Sequence, residues 1–311
     1  MYRLTALIAA AVLVAALPAA AQPRTAFPEK RGHQLSDFPR VIKLAENVYG
    51  YEEIRNPGFT TVSLFVVGTD GVLIADGQGS PAATQTMLDH IRKITPLPVK
   101  WYVVGSDHGD HTAGNSVLPK DITYIVHPVS KAQMERDAAN PNRNPNAPPV
   151  VIPPTAMTGD REVLNVGGIE VQVLFLGRGH TAGDLHVLLP KERILFMSEA
   201  FLNRVFPAMR SAYPSEWVAM LDKALALPVD RFVPGHGFIE EAKASREELV
   251  EFQQALRAVI AEATRLHKAG LPPDEARAKA NWGPYAEWFL ADSQDIIAIR
   301  KVYDELDGKL Q

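Results

Sequence analysis

Hydrophobic residues in the first half of the chain come in short runs that are bounded by glycine, proline and polar turn residues. Runs of about four to eight apolar residues between turn signals predict β-strands. Residues 82–94 place Met87, Leu88 and Ile91 at helical spacing, which predicts an amphipathic helix. Strands that alternate with a helix indicate an α/β fold. The strands predicted in this half are 61–67, 72–75, 101–104 and 124–126.

The second half of the chain begins after a segment that is rich in proline. Residues 139–154 hold six of the 24 prolines, and no helix or central strand tolerates that density, so a long, stiffened loop is predicted. Residues 246–267 carry one apolar stripe at helical spacing and predict a helix that packs on the core. Further strands are predicted at 169–176, 185–189, 194–197 and 232–233.

Several aromatic residues are concentrated near the C-terminus, within residues 281–290. Such a cluster either packs in the core as part of a helix or shapes a substrate pocket. The general tendency of large aromatic side chains to be buried favours the core. The residues concerned are Trp282, Tyr285, Trp288 and Phe289.

Residues 1–21 have the pattern of a secretory signal peptide. One arginine precedes an apolar stretch, and three alanines that end at Ala21 supply a small-residue cleavage site. The alternative is an uncleaved membrane anchor, which is disfavoured because a spanning helix needs about 20 apolar residues. We therefore expect a periplasmic or secreted protein, cleaved near Ala21, that does not associate with the membrane after cleavage. Residues 22–40 are polar and contain proline, and they are predicted to form an extended leader.

Composition narrows the chemistry that this chain can carry out. Its 311 residues include no cysteine and have a formal net charge of −4. The lack of cysteine excludes disulfides, thiolate zinc sites, iron–sulfur clusters and a thiol nucleophile. The charge and the lack of a long basic run exclude an electrostatic footprint for nucleic acid, so the expected partner is a small-molecule substrate. Any metal must be held by histidine, aspartate and glutamate.

Histidines occur in three segments that each follow a predicted strand. These segments are 106–111 (SDHGDH), 177–184 (GRGHTAGD) and 234–237 (PGHG). Taken singly, each is also consistent with a polar or glycine-rich turn. Together they place imidazoles at the carboxyl ends of strands, where open α/β sheets build ligand sites. We therefore expect a metal site of histidine and aspartate, with zinc as the metal.

The order and spacing of these residues resemble the metallo-β-lactamase superfamily. Its signature is His-x-His-x-Asp-His, followed by a lone histidine, an acidic bridging residue and a final histidine. Residues 72–77 also resemble the early superfamily strand that ends in Asp-x-Gly, and 180–184 (HTAGD) is similar to its Gly-His-Thr-x-Gly-Asp segment. The resemblance implies a four-layer αβ/βα sandwich over residues 41–240. Residues 241–311 would then form a C-terminal helical segment packed on the same domain.

Two positions depart from the superfamily signature. Ser106 stands where the first histidine is expected, and Glu199 stands where the bridging aspartate is expected. A serine hydroxyl is a poor zinc ligand beside imidazole or carboxylate, so Ser106 would be a weak ligand or a residue that contacts a ligand. Glu199 keeps the carboxylate and could still bridge two ions. Asp107 could lend its carboxylate to the metal position that lacks its third imidazole. Neighbours in an extended segment point to opposite faces, however, so we do not expect Asp107 to bind the metal.

These departures imply an asymmetric site with one firmly bound zinc and a second that is weak or absent. The resemblance gives one position three ligands and leaves the other with two imidazoles. The implied ligands are Asp110, His111 and His236 at the firm position, and His108 and His180 at the weak one, with Glu199 between them.

The chemistry that the resemblance implies is hydrolysis. An open zinc lowers the pKa of bound water from ~15.7 towards ~7 and polarises a carbonyl, so metal-bound hydroxide would attack an ester, thioester, amide or lactam. Asp110 would orient that water and move its proton. An exported enzyme of this kind suggests a β-lactam or another small cyclic amide or ester as substrate. The alternatives are a glyoxalase-II-like thioesterase and a catalytically weak periplasmic protein that binds a metal or a ligand.

Overall fold

A computed structural model describes residues 23–310, so the predicted signal peptide, 1–21, lies outside the described residues. The N-terminal half forms a six-stranded sheet whose strands are hydrogen-bonded in sequence order. Its first four strands are antiparallel neighbours, and the fifth and sixth strands run parallel to the fourth. The strands are β1 (Arg40–Ala45), β2 (Val48–Arg55), β3 (Phe59–Val67), β4 (Val72–Ala75), β5 (Val99–Val103) and β6 (Thr123–Ile125).

The second half forms a five-stranded sheet with the order β11-β10-β9-β8-β7. Strands β7 to β10 are antiparallel neighbours, and β11 runs parallel to β10. Consequently β8, β10 and β11 all point the same way, and their carboxyl ends lie at one edge. The strands are β7 (Arg161–Val166), β8 (Ile169–Leu174), β9 (His186–Leu189), β10 (Ile194–Phe196) and β11 (Arg231–Val233).

Helices cover the outer face of each sheet. Met87 and Met134, from two helices of the first half, pack with Phe65 and Tyr102 of the first sheet. The helices of the second half pack on the second sheet through a core that contains Trp217. The helices are α1 (Pro81–Ile94), α2 (Gly109–Thr112), α3 (Pro128–Ala139), α4 (Pro214–Ala226), α5 (Ala242–Lys268), α6 (Pro273–Lys279) and α7 (Ala291–Leu306).

A third apolar cluster lies between the two sheets. It joins Leu64 and Leu73 of the first sheet to Val187 and Phe196 of the second, and all four side chains are fully buried. Strands buried on both faces read as nearly continuous apolar runs, which is why β3 and β4 were recognisable in the sequence. Helix, sheet, sheet and helix therefore stack in four layers, and the predicted αβ/βα sandwich is confirmed.

The segment before β1 differs from the extended leader predicted for residues 22–40. It contains two short 3₁₀ turns, Glu29–Arg31 and Leu35–Asp37. Ala26 is fully buried, and the Arg31 guanidinium forms a 2.5 Å ion pair with Glu240. The segment therefore packs on the domain, because it supplies both an apolar contact and a buried ion pair.

The C-terminal segment differs in part from the helix considered for residues 281–290. A 3₁₀ turn, Gly283–Glu287, occupies that stretch, and the next helix, α7, begins at Ala291. Trp288 and Phe289 are buried in the core, as the tendency of aromatic residues indicated. Within residues 23–310, no helix is both long and apolar enough to cross a membrane.

Candidate metal centre

The loop after β5 carries three of the expected ligands on one short helical turn. His108 precedes α2, and its carbonyl accepts hydrogen bonds from the His111 amide at 3.0 Å and from the Thr112 hydroxyl at 2.9 Å. These bonds close the turn. The turn places Asp110 and His111 in one group of candidate metal ligands and His108 in a second group beside it.

The other ligands come from the second sheet, at the edge where three parallel-running strands end. His180 follows β8, Glu199 lies in the 3₁₀ turn Ser198–Ala200 after β10, and His236 follows β11. The strand order thus explains why three segments that are distant in sequence meet at one place. All six ligands implied by the resemblance lie in the two groups.

The backbone around His236 is fixed by neighbours on both sides. His236 forms isolated β-bridges with Thr61 of β3 and with Leu202, and its carbonyl accepts a 2.9 Å hydrogen bond from the Asn203 amide. The next residue, Gly237, has φ of +84°, and a β-carbon there would collide with the Asn203 backbone. Glycine is therefore required at this turn.

The first ligand group brings Asp110, His111, Glu199 and His236 together. His236 Nε2 lies 3.1 Å from Asp110 Oδ2, 3.2 Å from Glu199 Oε1 and 3.4 Å from His111 Nε2. His111 Nε2 is 4.0 Å from both carboxylates. Two imidazoles and two carboxylates therefore converge on one point.

The second ligand group consists of His108, His180 and the same Glu199. His108 Nδ1 lies 2.8 Å from Glu199 Oε2 and 3.2 Å from His180 Nε2. His180 Nε2 is 3.3 Å from Glu199 Oε1. Glu199 therefore belongs to both groups, which places it as a bridge between them.

These distances fit bound zinc. Ligands about 2.0–2.1 Å from a tetrahedral zinc lie about 3.3 Å from one another, and most of the contacts described above are close to that value. The donor set of imidazole nitrogen and carboxylate oxygen is also one that zinc prefers. The residues present therefore fit a zinc ion in each group.

Ser106 is fully buried and lies outside both ligand groups. Its hydroxyl donates a 2.5 Å hydrogen bond to Glu199 Oε2, the oxygen that also faces His108. Ser106 therefore contacts a ligand, and Glu199 completes the group in which a third imidazole is missing.

Polar groups behind the ligands hold three of the four imidazoles in place. His111 Nδ1 lies 3.0 Å from Asp76 Oδ2, His236 Nδ1 lies 2.8 Å from the Thr60 carbonyl oxygen, and His108 Nε2 lies 3.1 Å from the Ser211 hydroxyl. Partners of this kind fix the ring orientation and the tautomer of a metal-binding histidine. Asp76 ends the strand that resembled the superfamily's Asp-x-Gly segment, whereas nothing in the sequence indicated the other two.

Arg55, the last residue of β2, was also not anticipated from the sequence. Its Nη1 donates a 2.7 Å hydrogen bond to Asp110 Oδ2, and its guanidinium lies over the ring of Phe59. Burial of the Asp110 carboxylate and the negative charge of Glu199 beside it both favour the neutral form of Asp110. The hydrogen bond from His236 and the charges of His111 and His236 outweigh them, and the pKa of Asp110 is lowered, so it stays ionised at neutral pH.

The charges of the site depend on one another. Burial lowers the pKa of His108, but Glu199 outweighs burial and raises it to about 9. Burial also opposes charge on His236, and its hydrogen bonds to Asp110 and Glu199 raise its pKa to about 9. The charges of His180, His108 and His111 hold the pKa of Glu199 well below its usual range despite its burial. Protons on the histidines thus balance the charge of the carboxylates, and a metal that binds must displace these protons.

Other polar residues near the site stay outside the ligand groups. Asp107 is not among the candidate ligands, and burial raises its pKa to about 6. His127, the residue before α3, accepts a hydrogen bond from the Val129 amide and stacks on Phe175 at 4.2 Å. His186 of β9 is fully buried, and burial lowers its pKa to about 4.

The ligand groups open into a cavity of about 290 Å³. Polar residues that line it include Arg55, His108, Asp110 and Arg210. The apolar wall is formed by Pro57, Phe59, Leu202, Val205, Ala208, Leu290 and Ile297. A cavity of this size at the metal ligands suits a small molecule.

Comparison with known proteins identifies relatives of this arrangement. The family model of the metallo-beta-lactamase superfamily matches residues 55–236, more than half of the chain. The chain is 24% identical over 222 residues to the 2,4-dinitroanisole O-demethylase subunit alpha of Nocardioides sp. (strain JS1661), which covers 65% of this chain and 64% of that subunit. It is 26% identical over 214 residues to a metallo-beta-lactamase type 2 of Bacteroides fragilis, covering 66% of this chain and 81% of that protein.

A solved structure shows the same fold at lower sequence identity. The stereoselective inverting sec-alkylsulfatase of a Pseudomonas species matches with a TM-score of 0.65 and 16% identity. The match covers 89% of this chain and 51% of the sulfatase. The chain thus spans less than two thirds of the demethylase subunit and about half of the sulfatase.

Proposed function

Because the chain belongs to the metallo-beta-lactamase superfamily and its ligand groups meet at a small cavity, we propose that it is a zinc-dependent hydrolase of small carbonyl compounds. The observation that carries the proposal is the sharing of Glu199 by two groups of ligands beside that cavity. The favoured substrates are β-lactams and other small cyclic amides or esters. The similarity to the Bacteroides fragilis metallo-beta-lactamase supports this substrate class.

Zinc in these groups would supply a Lewis acid that polarises a carbonyl and acidifies water. The chain itself supplies Asp110, which lines the cavity and stays ionised. Asp110 would accept the proton of an attacking water, while Arg55 holds its Oδ2 oxygen in place. Arg55 thereby acts as a positioning residue for the proposed catalytic carboxylate.

The two ligand groups are expected to bind zinc with unequal affinity. The group of Asp110, His111 and His236 contains a carboxylate of its own and shares Glu199. The other group has only the shared carboxylate, so it offers less negative charge to a divalent cation. We propose a firm zinc at the first group and a weaker one at His108 and His180.

Hydrolysis before and after removal of metal tests the proposal. The purified protein should hydrolyse a chromogenic β-lactam or a nitrophenyl ester, lose that activity with a chelator and regain it with zinc. His236→Ala should lower kcat/KM by more than about 100-fold, the upper range for losing a residue that only supports a ligand. His267→Ala, which changes a histidine on α5 paired with Asp307, should retain activity. Chelator-insensitive turnover would refute a metal-dependent reaction.

Substrate panels separate the remaining functions. Preferential turnover of thioesters would replace the proposed substrate class with that of a glyoxalase-II-like enzyme. Zinc binding without turnover of any lactam, ester or thioester would indicate a binding protein instead. Either result leaves the fold and the metal ligands in place, so the panel tests the substrate class alone.

We also propose that the protein is exported, on the strength of the signal-peptide pattern in residues 1–21. The mass of protein recovered from the producing cell tests this point. A chain that begins at Gln22 is the expected result. A chain that retains Met1 would contradict export by cleavage.

A further inference from the structure

Leu290 lines the cavity of the metal centre in a backbone conformation that is unusual for its residue type. It directly precedes α7, and its φ of +66° lies in the left-handed region. A residue with a branched side chain enters that region only when its surroundings impose it, and such residues cluster at functional sites.

Backbone hydrogen bonds on both sides impose this conformation. Phe289 forms a β-bridge with Val205, donates a hydrogen bond to the Arg204 carbonyl at 3.2 Å and accepts one from the Phe206 amide at 2.9 Å. The Leu290 carbonyl in turn accepts bonds from the Ser293 and Gln294 amides in the first turn of α7. The chain therefore has to turn at Leu290.

Aromatic contacts connect this turn to the metal ligands. The Phe289 ring lies 5.1 Å from that of Phe59, and the Phe59 ring lies 4.9 Å from the imidazole of His236. Phe59, Leu290 and Ile297 all line the cavity. The apolar wall thus runs continuously from a candidate ligand to α7.

Helix α7 packs firmly on the domain, so the apolar wall is a fixed part of the structure. Ala298, Ile299 and Val302 are fully buried in the core of the second sheet. Asp295 forms a 2.9 Å ion pair with Arg277 of α6. The wall residues Leu290 and Ile297 also lie outside residues 55–236, the part of the chain that matches the family model.

We propose that Leu290 and Ile297 form a pocket that limits the length of a linear apolar group on the substrate. Such a group, attached at the reacting carbonyl, would lie along Phe59 and end against the α7 wall. The substrates favoured by this geometry carry a short alkyl group, and longer chains are excluded by Leu290. The inference rests on the proposed metal centre, because the metal places the carbonyl end of the substrate.

A series of alkyl hydroxamates tests this pocket without requiring turnover. The hydroxamate group binds the metal, and the alkyl chain, lengthened by one methylene at a time, probes the wall. Dissociation constants are measured calorimetrically with the zinc-loaded protein for the wild type, Leu290→Ala and Leu290→Gly. Glycine tolerates the left-handed backbone, so it protects the test against misfolding of the alanine variant. Leu225→Ala, a half-buried leucine of α4 that does not line the cavity, is the matched control.

In the wild type, affinity should rise with chain length and then stop rising when the chain reaches the wall. In both Leu290 variants it should continue to rise beyond that length, by about fourfold for each further buried methylene, while Leu225→Ala should follow the wild type. An unchanged dependence on chain length in both Leu290 variants would overturn the proposed pocket and leave the metal centre intact. A failure of the zinc-loaded wild type to bind any hydroxamate would instead contradict the metal centre, and the pocket with it.

Discussion

The Ser106 hydroxyl donates a 2.5 Å hydrogen bond to Glu199 Oε2, and both residues are buried. The same oxygen lies 2.8 Å from His108 Nδ1. Serine at this position therefore does not leave the second ligand group open. It holds a carboxylate beside His108 and His180, so two departures from the superfamily signature compensate for one another.

Ser106→Ala should weaken zinc binding at the second ligand group. The variant removes the hydrogen bond that positions Glu199, and loss of such a supporting contact costs about 10–100-fold in metal affinity. Competition with a chromophoric chelator measures the affinity of each zinc equivalent. Ser245→Ala removes a buried hydroxyl that accepts a bond from the Phe232 amide, away from the ligands, and should bind zinc as the wild type does. Equal affinities of Ser106→Ala and the wild type would contradict a positioning role for Ser106.

Asp76→Asn should weaken the first ligand group. The Asp76 carboxylate faces His111 Nδ1 at 3.0 Å and accepts a 2.7 Å hydrogen bond from the Gly105 amide. Asparagine keeps the shape but removes the charge that supports the imidazole, and a loss of about 10–100-fold in affinity for the tighter zinc is expected. Chelator competition again gives the measurement. Asp89→Asn, an exposed carboxylate on α1, serves as the control, and a similar loss there would show that the effect is not local.

His186→Leu should make the metal-free protein less sensitive to acid. Burial lowers the pKa of His186 to about 4 from an ordinary value of 6.5, so between these values the unfolded chain binds a proton that the folded chain does not. Stability therefore falls as the pH drops from about 6.5 towards 4. His186 alternates along β9 with Val187, which faces the other sheet, so its side chain lies on the helix-facing side with Leu188.

Urea unfolding at pH 7 and pH 4.5 measures this effect. The free energy of unfolding should fall by about 2 kcal/mol less in His186→Leu than in the wild type. Both proteins are compared without metal, so that release of zinc at low pH does not contribute. Identical losses in the two proteins would mean that His186 takes up its proton as readily in the folded state as in the unfolded state.

The sequence was sufficient for the parts of the site that depend on local patterns. His108, Asp110 and His111 lie within four residues of one another, and the other ligands follow apolar runs that are strands in the structure. Strand ends in such sheets meet at one edge, so the convergence of the ligands was predictable.

The contacts that position those ligands were not predictable, because they join distant parts of the chain. Arg55 reaches Asp110 across the first sheet, and Ser211 reaches His108 from a loop before α4. The left-handed backbone of Leu290 has no counterpart in the sequence, since leucine rarely adopts it. Helix α3 was missed because its residues are mostly polar, and only Ser130 and Met134 are buried.

Zinc titration of the metal-free protein is the strongest test of whether the two ligand groups share Glu199. We expect two equivalents of unequal affinity in the wild type. His111→Ala should lose the tighter one, His180→Ala the weaker one, and Glu199→Gln should weaken both. Binding of a single equivalent that is unaffected by His111→Ala and Glu199→Gln would show that the two groups do not share Glu199.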